Sequence, residues 1–171
     1  PGATQGIIAG PALGPDGNIY AVTDFGGLGV FSVSAVDGRL RWSDLGDPQI
    51  NERGQTGAEI TFGAPTPGGA VAVFFVAFDI GGQGTGTGKM FEYTLDGSRR
   101  WGVLIGGDGN VGQFQPAAGR AAGAVYVSSL TSSQGYRLRA FSAGTGSSLW
   151  SYPPDSGPPT NTLTQPTVGP D

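Results

Sequence analysis

The sequence predicts an all-β chain built from a repeated four-stranded unit, and three observations carry that prediction. A proline-centred start recurs at Pro11, Pro65, Pro116 and Pro166, in steps of 54, 51 and 50 residues. Each complete unit then reaches a turn glycine followed by a tryptophan at a constant offset of four: Gly38 and Trp42, Gly97 and Trp101, Gly146 and Trp150. No segment carries a helical hydrophobic period, whereas short runs rich in β-branched and aromatic residues alternate with Gly, Pro, Asp and Ser.

The first unit, residues 1–48, predicts strands over Ile7 to Leu13, Asn18 to Thr23, Gly29 to Ala35 and Arg39 to Ser43. The second, residues 49–107, predicts strands over Glu59 to Ala64, Ala70 to Asp79, Lys89 to Thr94 and Ser98 to Leu104. The third, residues 108–157, predicts strands over Gln113 to Ala118, Ala124 to Ser129, Tyr136 to Phe141 and Ser147 to Tyr152. Residues 158–171 open a fourth unit, since Gln165-Pro166-Thr167-Val168-Gly169-Pro170-Asp171 repeats the pattern of Gly10-Pro11-Ala12-Leu13-Gly14-Pro15-Asp16. Asp37-Gly38, Asp96-Gly97 and Thr145-Gly146 are tight-hairpin signals, because glycine enters positive φ without a Cβ clash.

A lone four-stranded sheet cannot bury both faces, so such units stack radially around a channel. The expected architecture is therefore a β-propeller of which this chain holds about three blades. A tryptophan on each outer strand suits packing between neighbouring blades. Three blades leave two open edges, which predicts a longer polypeptide or other subunits to close them. The start at Pro1-Gly2-Ala3 and the stop at Asp171, one residue before the expected glycine, agree with that expectation.

Composition narrows the function classes. Gly 33 and Pro 13 would suggest low complexity without a period, but here the period assigns them to turns. Lys+Arg 9 against Asp+Glu 13 gives a net charge of −4, and Lys89 is the single lysine, so no basic stripe for nucleic acid exists. There is no cysteine and no histidine, which removes disulfides, thiolate metal sites and the commonest general base from this chain. No apolar run reaches the roughly 20 residues of a spanning helix.

Gly17-Asn18-Ile19-Tyr20 and Gly123-Ala124-Val125-Tyr126, each followed by the Gly-to-Trp element, resemble the quinoprotein-like propeller repeat. The second unit departs from the pattern, with Gly69-Ala70-Val71-Ala72-Val73-Phe74-Phe75 at that place and a turn one residue shorter before Gly97. Kelch repeats are the next resemblance, through Gly26-Gly27 and Gly81-Gly82, but Leu130-Thr131-Ser132 breaks it in the third unit. The quinoprotein resemblance implies a propeller of seven or eight blades, and either a protein-interaction scaffold outside the cytoplasm, like the outer-membrane assembly lipoproteins, or part of a pyrroloquinoline-quinone-dependent dehydrogenase whose active-site blades are not in this chain. The dehydrogenase's calcium ligands, catalytic aspartate and vicinal cysteines have no matching residues here. The expectation is accordingly no catalytic, cofactor or metal residue in this segment, protein partners, and a location in the periplasm, at the cell surface or in the medium.

Four features are weighed for binding. Asp24 and Asp79, each four residues after an aromatic (Tyr20, Phe75), form a paired acidic candidate at one end of the propeller, or else strand-end aspartates serving turn amides. Gly81 to Lys89 fails the phosphate-loop register, because Gln83 stands where the first glycine belongs and Met90 replaces Ser/Thr; it reads as a long hairpin tip. Ser43 to Thr61 holds about eight residues more than its counterparts and predicts a polar surface loop. Pro153 to Pro159 reads as a stiff spacer.

Overall fold

The computed structural model describes residues 7–23, 29–44, 52–53, 60–63, 72–81, 85–105, 115–118, 123–131, 135–154 and 158. Among them there are thirteen strands and no helix. Three antiparallel sheets follow one another along the chain.

The first sheet is β1 (Ile7–Leu13), β2 (Asn18–Thr23), β3 (Val30–Ser34) and β4 (Leu40–Asp44), in that spatial order. The second contains β5 (Glu52–Arg53), β6 (Ile60–Phe62), β7 (Ala72–Gly81), β8 (Thr85–Thr94) and β9 (Arg99–Leu104). The third is β10 (Gln115–Ala118), β11 (Ala124–Thr131), β12 (Gly135–Ser142) and β13 (Ser148–Tyr152). The first and third sheets are meanders, the second has β5 and β6 both paired with β7 ahead of β8 and β9, and β6 lies beside both β1 and β10.

Two expectations need correction. The predicted hairpin tip from Gly81 to Lys89 is largely ladder, with β7 and β8 paired without interruption from Ala72↔Thr94 to Gly81↔Thr85. The Thr/Gly alternation of residues 85–88 is compatible with extended pairing, and the ladder gives the backbone groups that face across the hairpin partners that an open loop would leave to water. The insertion is not loop throughout: Glu52 and Arg53 pair with Asp79 and Phe78, beside the three-residue β6 on the same edge of β7. Pro65 and Pro166 lie outside the described residues. Pro11 sits on β1 at a register shift between Ala9 and Ala12, a place where a missing donor is tolerated. Pro116 sits on β10 opposite Val127.

The repeated start has a physical reason. Gly14 lies against the Tyr20 ring, where a Cβ would come within 2.4 Å of Cε2. Asp16 accepts the Tyr20 hydroxyl at 2.8 Å and the Asn18 side-chain amide at 2.7 Å. Gly17 turns the chain at φ 77°. Glycine, aspartate and tyrosine thus act as one unit that fixes a fully buried ring at the start of β2.

A single bulge recurs in the outer hairpin of every sheet. Pairings Val33↔Leu40 and Ser32↔Trp42 leave Arg41 as the extra residue; Tyr93↔Arg99 and Glu92↔Trp101 leave Arg100; Phe141↔Ser148 and Ala140↔Trp150 leave Leu149. The bulge shifts the pleat by one, so each tryptophan joins the face opposite to that of the residue two before it. That face is the one directed at the next sheet.

Two hydrophobic clusters fill the spaces between sheets. Tyr20, Val22 and Val30 of the first sheet pack with Phe91 and Tyr93 of the second, joined by Trp42, Ile60, Phe62 and Leu95. Met90 and Ile105 pack with Val125, Val127 and Phe141 of the third, joined by Trp101, Val103 and Ala143.

Candidate functional site

The positions where the molecule concentrates specific chemistry are the two junctions between sheets. In the first, the Trp42 indole stacks on Tyr93 at 5.6 Å and 14°, and meets the Tyr20 ring edge-on at 5.9 Å. Its Nε1–H donates to the Leu95 carbonyl in the next sheet's hairpin turn at 2.8 Å. The ring lies over Gly97, where a Cβ would stand 2.6 Å from Trp42 Cγ. Gly97 also holds φ 93°, so the turn needs glycine for its backbone and for the indole above it.

The second junction repeats this contact. Trp101 Nε1–H donates to the Ala143 carbonyl at 3.1 Å, and a Cβ on Gly146 would fall 2.8 Å from Trp101 Cε3 and 2.8 Å from Val103 Cγ1. Gly146 has φ 70°. Leu95 and Ala143 are the same position in their hairpins, one residue after the strand end whose N–H bonds the carbonyl across the turn, Thr94 to Ser98 and Ser142 to Ser147. Each tryptophan therefore seats on the glycine turn of the following sheet and hydrogen-bonds its backbone.

Around this shared contact the polar chemistry differs. At the first junction Asp44 Oδ2 accepts the Tyr93 hydroxyl at 2.6 Å and Arg99 Nε at 3.1 Å, with Arg99 Nη2 at 3.0 Å. The Arg99 guanidinium also lies 4.7 Å over the Phe91 ring centroid. Burial, then the hydrogen bond to Asp44, pushes the Tyr93 hydroxyl well above the ordinary tyrosine range, so it remains a donor. At the second junction Glu92 is fully buried and pairs with Arg100 Nη1. Burial holds its carboxyl above the usual range although Arg100 opposes the shift.

The third sheet carries an anchor of its own. Arg137 is 2% exposed and donates through Nη1 to the carbonyls of Pro153, at 2.7 Å, and Pro154. This ties the start of the proline-rich spacer back to β12.

Asp24 lies outside the described residues, and Asp79 is located by its backbone alone, inside β7 opposite Thr87 and Glu52 rather than in a turn. Tyr126 is half-buried and meets Trp150 at 5.8 Å, as Tyr20 meets Trp42. Sequence reasoning places Asp44 in the polar Ser43-to-Thr61 loop, whereas it ends β4, and it does not single out Glu92, Arg99 or Arg137. The Arg99-Arg100 doublet before Trp101 is the one signal that marks Arg99 and the partner of Glu92.

Among the described residues no group of three Asp or Glu side chains lies together, and no helix is long and apolar enough to cross a membrane. No family model matches the chain, and no curated protein matches it.

Proposed function

We propose that the three sheets are consecutive blades of a β-propeller of the quinoprotein-like type. On this reading the chain is a non-catalytic protein-interaction scaffold or surface binding module outside the cytoplasm. The observation that supports this best is the junction, one contact geometry applied twice in the same direction. A constant step between similar sheets with their first strands side by side leads around an axis. The absence of histidine and cysteine from the sequence, and the engagement of Asp44, Tyr93 and Glu92 in sheet-to-sheet contacts, favour binding over turnover. The location outside the cytoplasm follows from the resemblance of the repeat.

The test is an absorbance spectrum of the native protein, with and without added pyrroloquinoline quinone and Ca²⁺, together with a dye-linked assay on alcohols and sugars. The expected result is no quinone band, no saturable uptake and no oxidation. A bound chromophore with turnover overturns the scaffold reading and makes the chain part of a quinone-dependent dehydrogenase. Single-particle imaging of the native protein tests the architecture separately, with a closed ring of sheets expected and an open stack contradicting it.

A further inference from the structure

The junction is made twice, and each end of the chain shows one unmatched half of it. At the leading end, the Gly38 turn copies the Gly146 turn: φ is 69° and 70°, and the glycine N–H bonds the Ser34 or Ser142 carbonyl at 2.9 and 2.8 Å. The Gly146 turn is covered by Trp101, yet among the described residues nothing lies within 4 Å of a Cβ placed on Gly38. Beside it Val36 is 95% and Leu40 is 54% exposed. Phe31 and Val33 hold the register positions of Phe91 and Tyr93, which are buried at the first junction, but are themselves only half-buried.

At the trailing end, Trp150 occupies the position of Trp42 and Trp101 and keeps the same tyrosine neighbour, but is 46% exposed, with Tyr152 at 65%. The two end faces are thus the continuation of an interface whose both halves the molecule displays intact elsewhere. Their complementarity is directional, tail to head, and therefore heterologous.

We propose that two copies of this chain dock head to tail, with Trp150 of one copy seated on the Gly38 turn of the other and its Nε1–H donated to the Ala35 carbonyl. Ala35 is the position of Leu95 and Ala143, one residue after Ser34, whose N–H bonds the Arg39 carbonyl across the turn. This inference rests on the repeated junction and not on the propeller reading. Each engaged junction adds one copy in series, and a ring closes where the last copy's tail meets the first copy's head.

The experiment is sedimentation velocity of the 171-residue chain over a concentration series, with Trp150→Ser and Gly38→Asn made singly and then mixed. Asparagine tolerates positive φ, so it keeps the turn while filling the space the indole needs. The natural chain is expected to form species at multiples of 17.3 kDa, and either variant alone to associate at least about tenfold more weakly. An equimolar mixture recovers a species of two chains, because one variant retains its tryptophan and the other its turn. Far-UV circular dichroism checks the fold of both variants; if Trp150→Ser disturbs β13, the loss of association in Gly38→Asn alone decides. A natural chain that remains monomeric throughout, association indifferent to both substitutions, or a mixture that stays monomeric overturns the proposal. Monomeric behaviour leaves the propeller reading intact, since sheets of one longer polypeptide then fill the same positions.

Discussion

The two junctions share a skeleton and differ in its surroundings. Trp42 and Trp101 perform the same act, a ring over a left-handed glycine and an N–H to the first residue of the turn, although their sheets differ in hairpin length and in most side chains. Around Trp42 the molecule places stacked aromatics and the half-exposed Asp44 and Arg99 on the buried Tyr93; around Trp101 it places aliphatic side chains and the buried Glu92, paired with the more exposed Arg100. The common part is what stacking one sheet on the next demands. The variable part distinguishes one sheet's neighbour from another's, because a charged group matched at its own junction would be left without a counterpart at the other.

The largest effect expected from breaking this pattern comes from the turn glycines. Gly97→Ala adds a Cβ 2.6 Å from Trp42 Cγ on a backbone at φ 93°, and should cost about 3 kcal/mol or more through overpacking and strain together. Gly38→Ala carries only the backbone strain, about 1 kcal/mol. Denaturant unfolding of the two variants measures the difference, and equal losses would remove the distinction between a covered and an uncovered turn.

Truncating the tryptophans ranks next. Trp42→Ala loses a stacked aromatic pair and a hydrogen bond and should cost about 3 kcal/mol; Trp101→Ala should cost slightly less, and Trp150→Ala under about 1 kcal/mol in the isolated chain. Thermal melts of the three variants at one pH give the order.

The polar surroundings sharpen the comparison by smaller amounts. Asp44→Asn takes a charged acceptor from Tyr93 and Arg99 and should cost about 1 to 2 kcal/mol, less in high salt. Glu92 gives a dependence of the opposite kind. Its carboxyl titrates above the ordinary 4.5 when folded, so the folded state holds the proton more tightly than the unfolded one. Its contribution is fully present below pH 4.5 and is lost as pH rises through the folded value. The melting temperature of the natural chain relative to Glu92→Gln should therefore rise as pH is lowered from 7 toward 4.5. Asp16, Asp37 and Asp96, all held below 3.8 by local hydrogen bonds, act only at lower pH and with the reverse sign.

Local chemistry made the strands and turns readable. The twelve strands expected from alternation and turn residues coincide with twelve of the thirteen observed, within a few residues at their ends except around the β7–β8 hairpin. The constant offset from Gly38 to Trp42 already contained the bulge, but a spacing does not reveal which of four residues is extra. Glu52 and Arg53 gave no strand signal because two polar residues owe their extended form to the edge of β7 rather than to any preference of their own. The candidate site was less legible. Asp44 and Arg99 are 55 residues apart, and Trp42 and its Leu95 acceptor 53, so these contacts exist only once two sheets are stacked. Glu92 looked like one polar residue of an alternating strand, since nothing local marks which face another sheet will cover.

A double-mutant cycle between Trp42→Ala and Gly97→Ala most directly tests whether the indole on the glycine turn joins consecutive sheets. With the indole removed, the two tightest contacts of the added Cβ disappear and the residue-42 Cβ, 3.0 Å away, remains, so Gly97→Ala should lose most of its overpacking cost and the two losses should fall short of additivity by about 1.5 kcal/mol. Strict additivity, with Gly97→Ala equally damaging whether or not the indole is present, would contradict the junction.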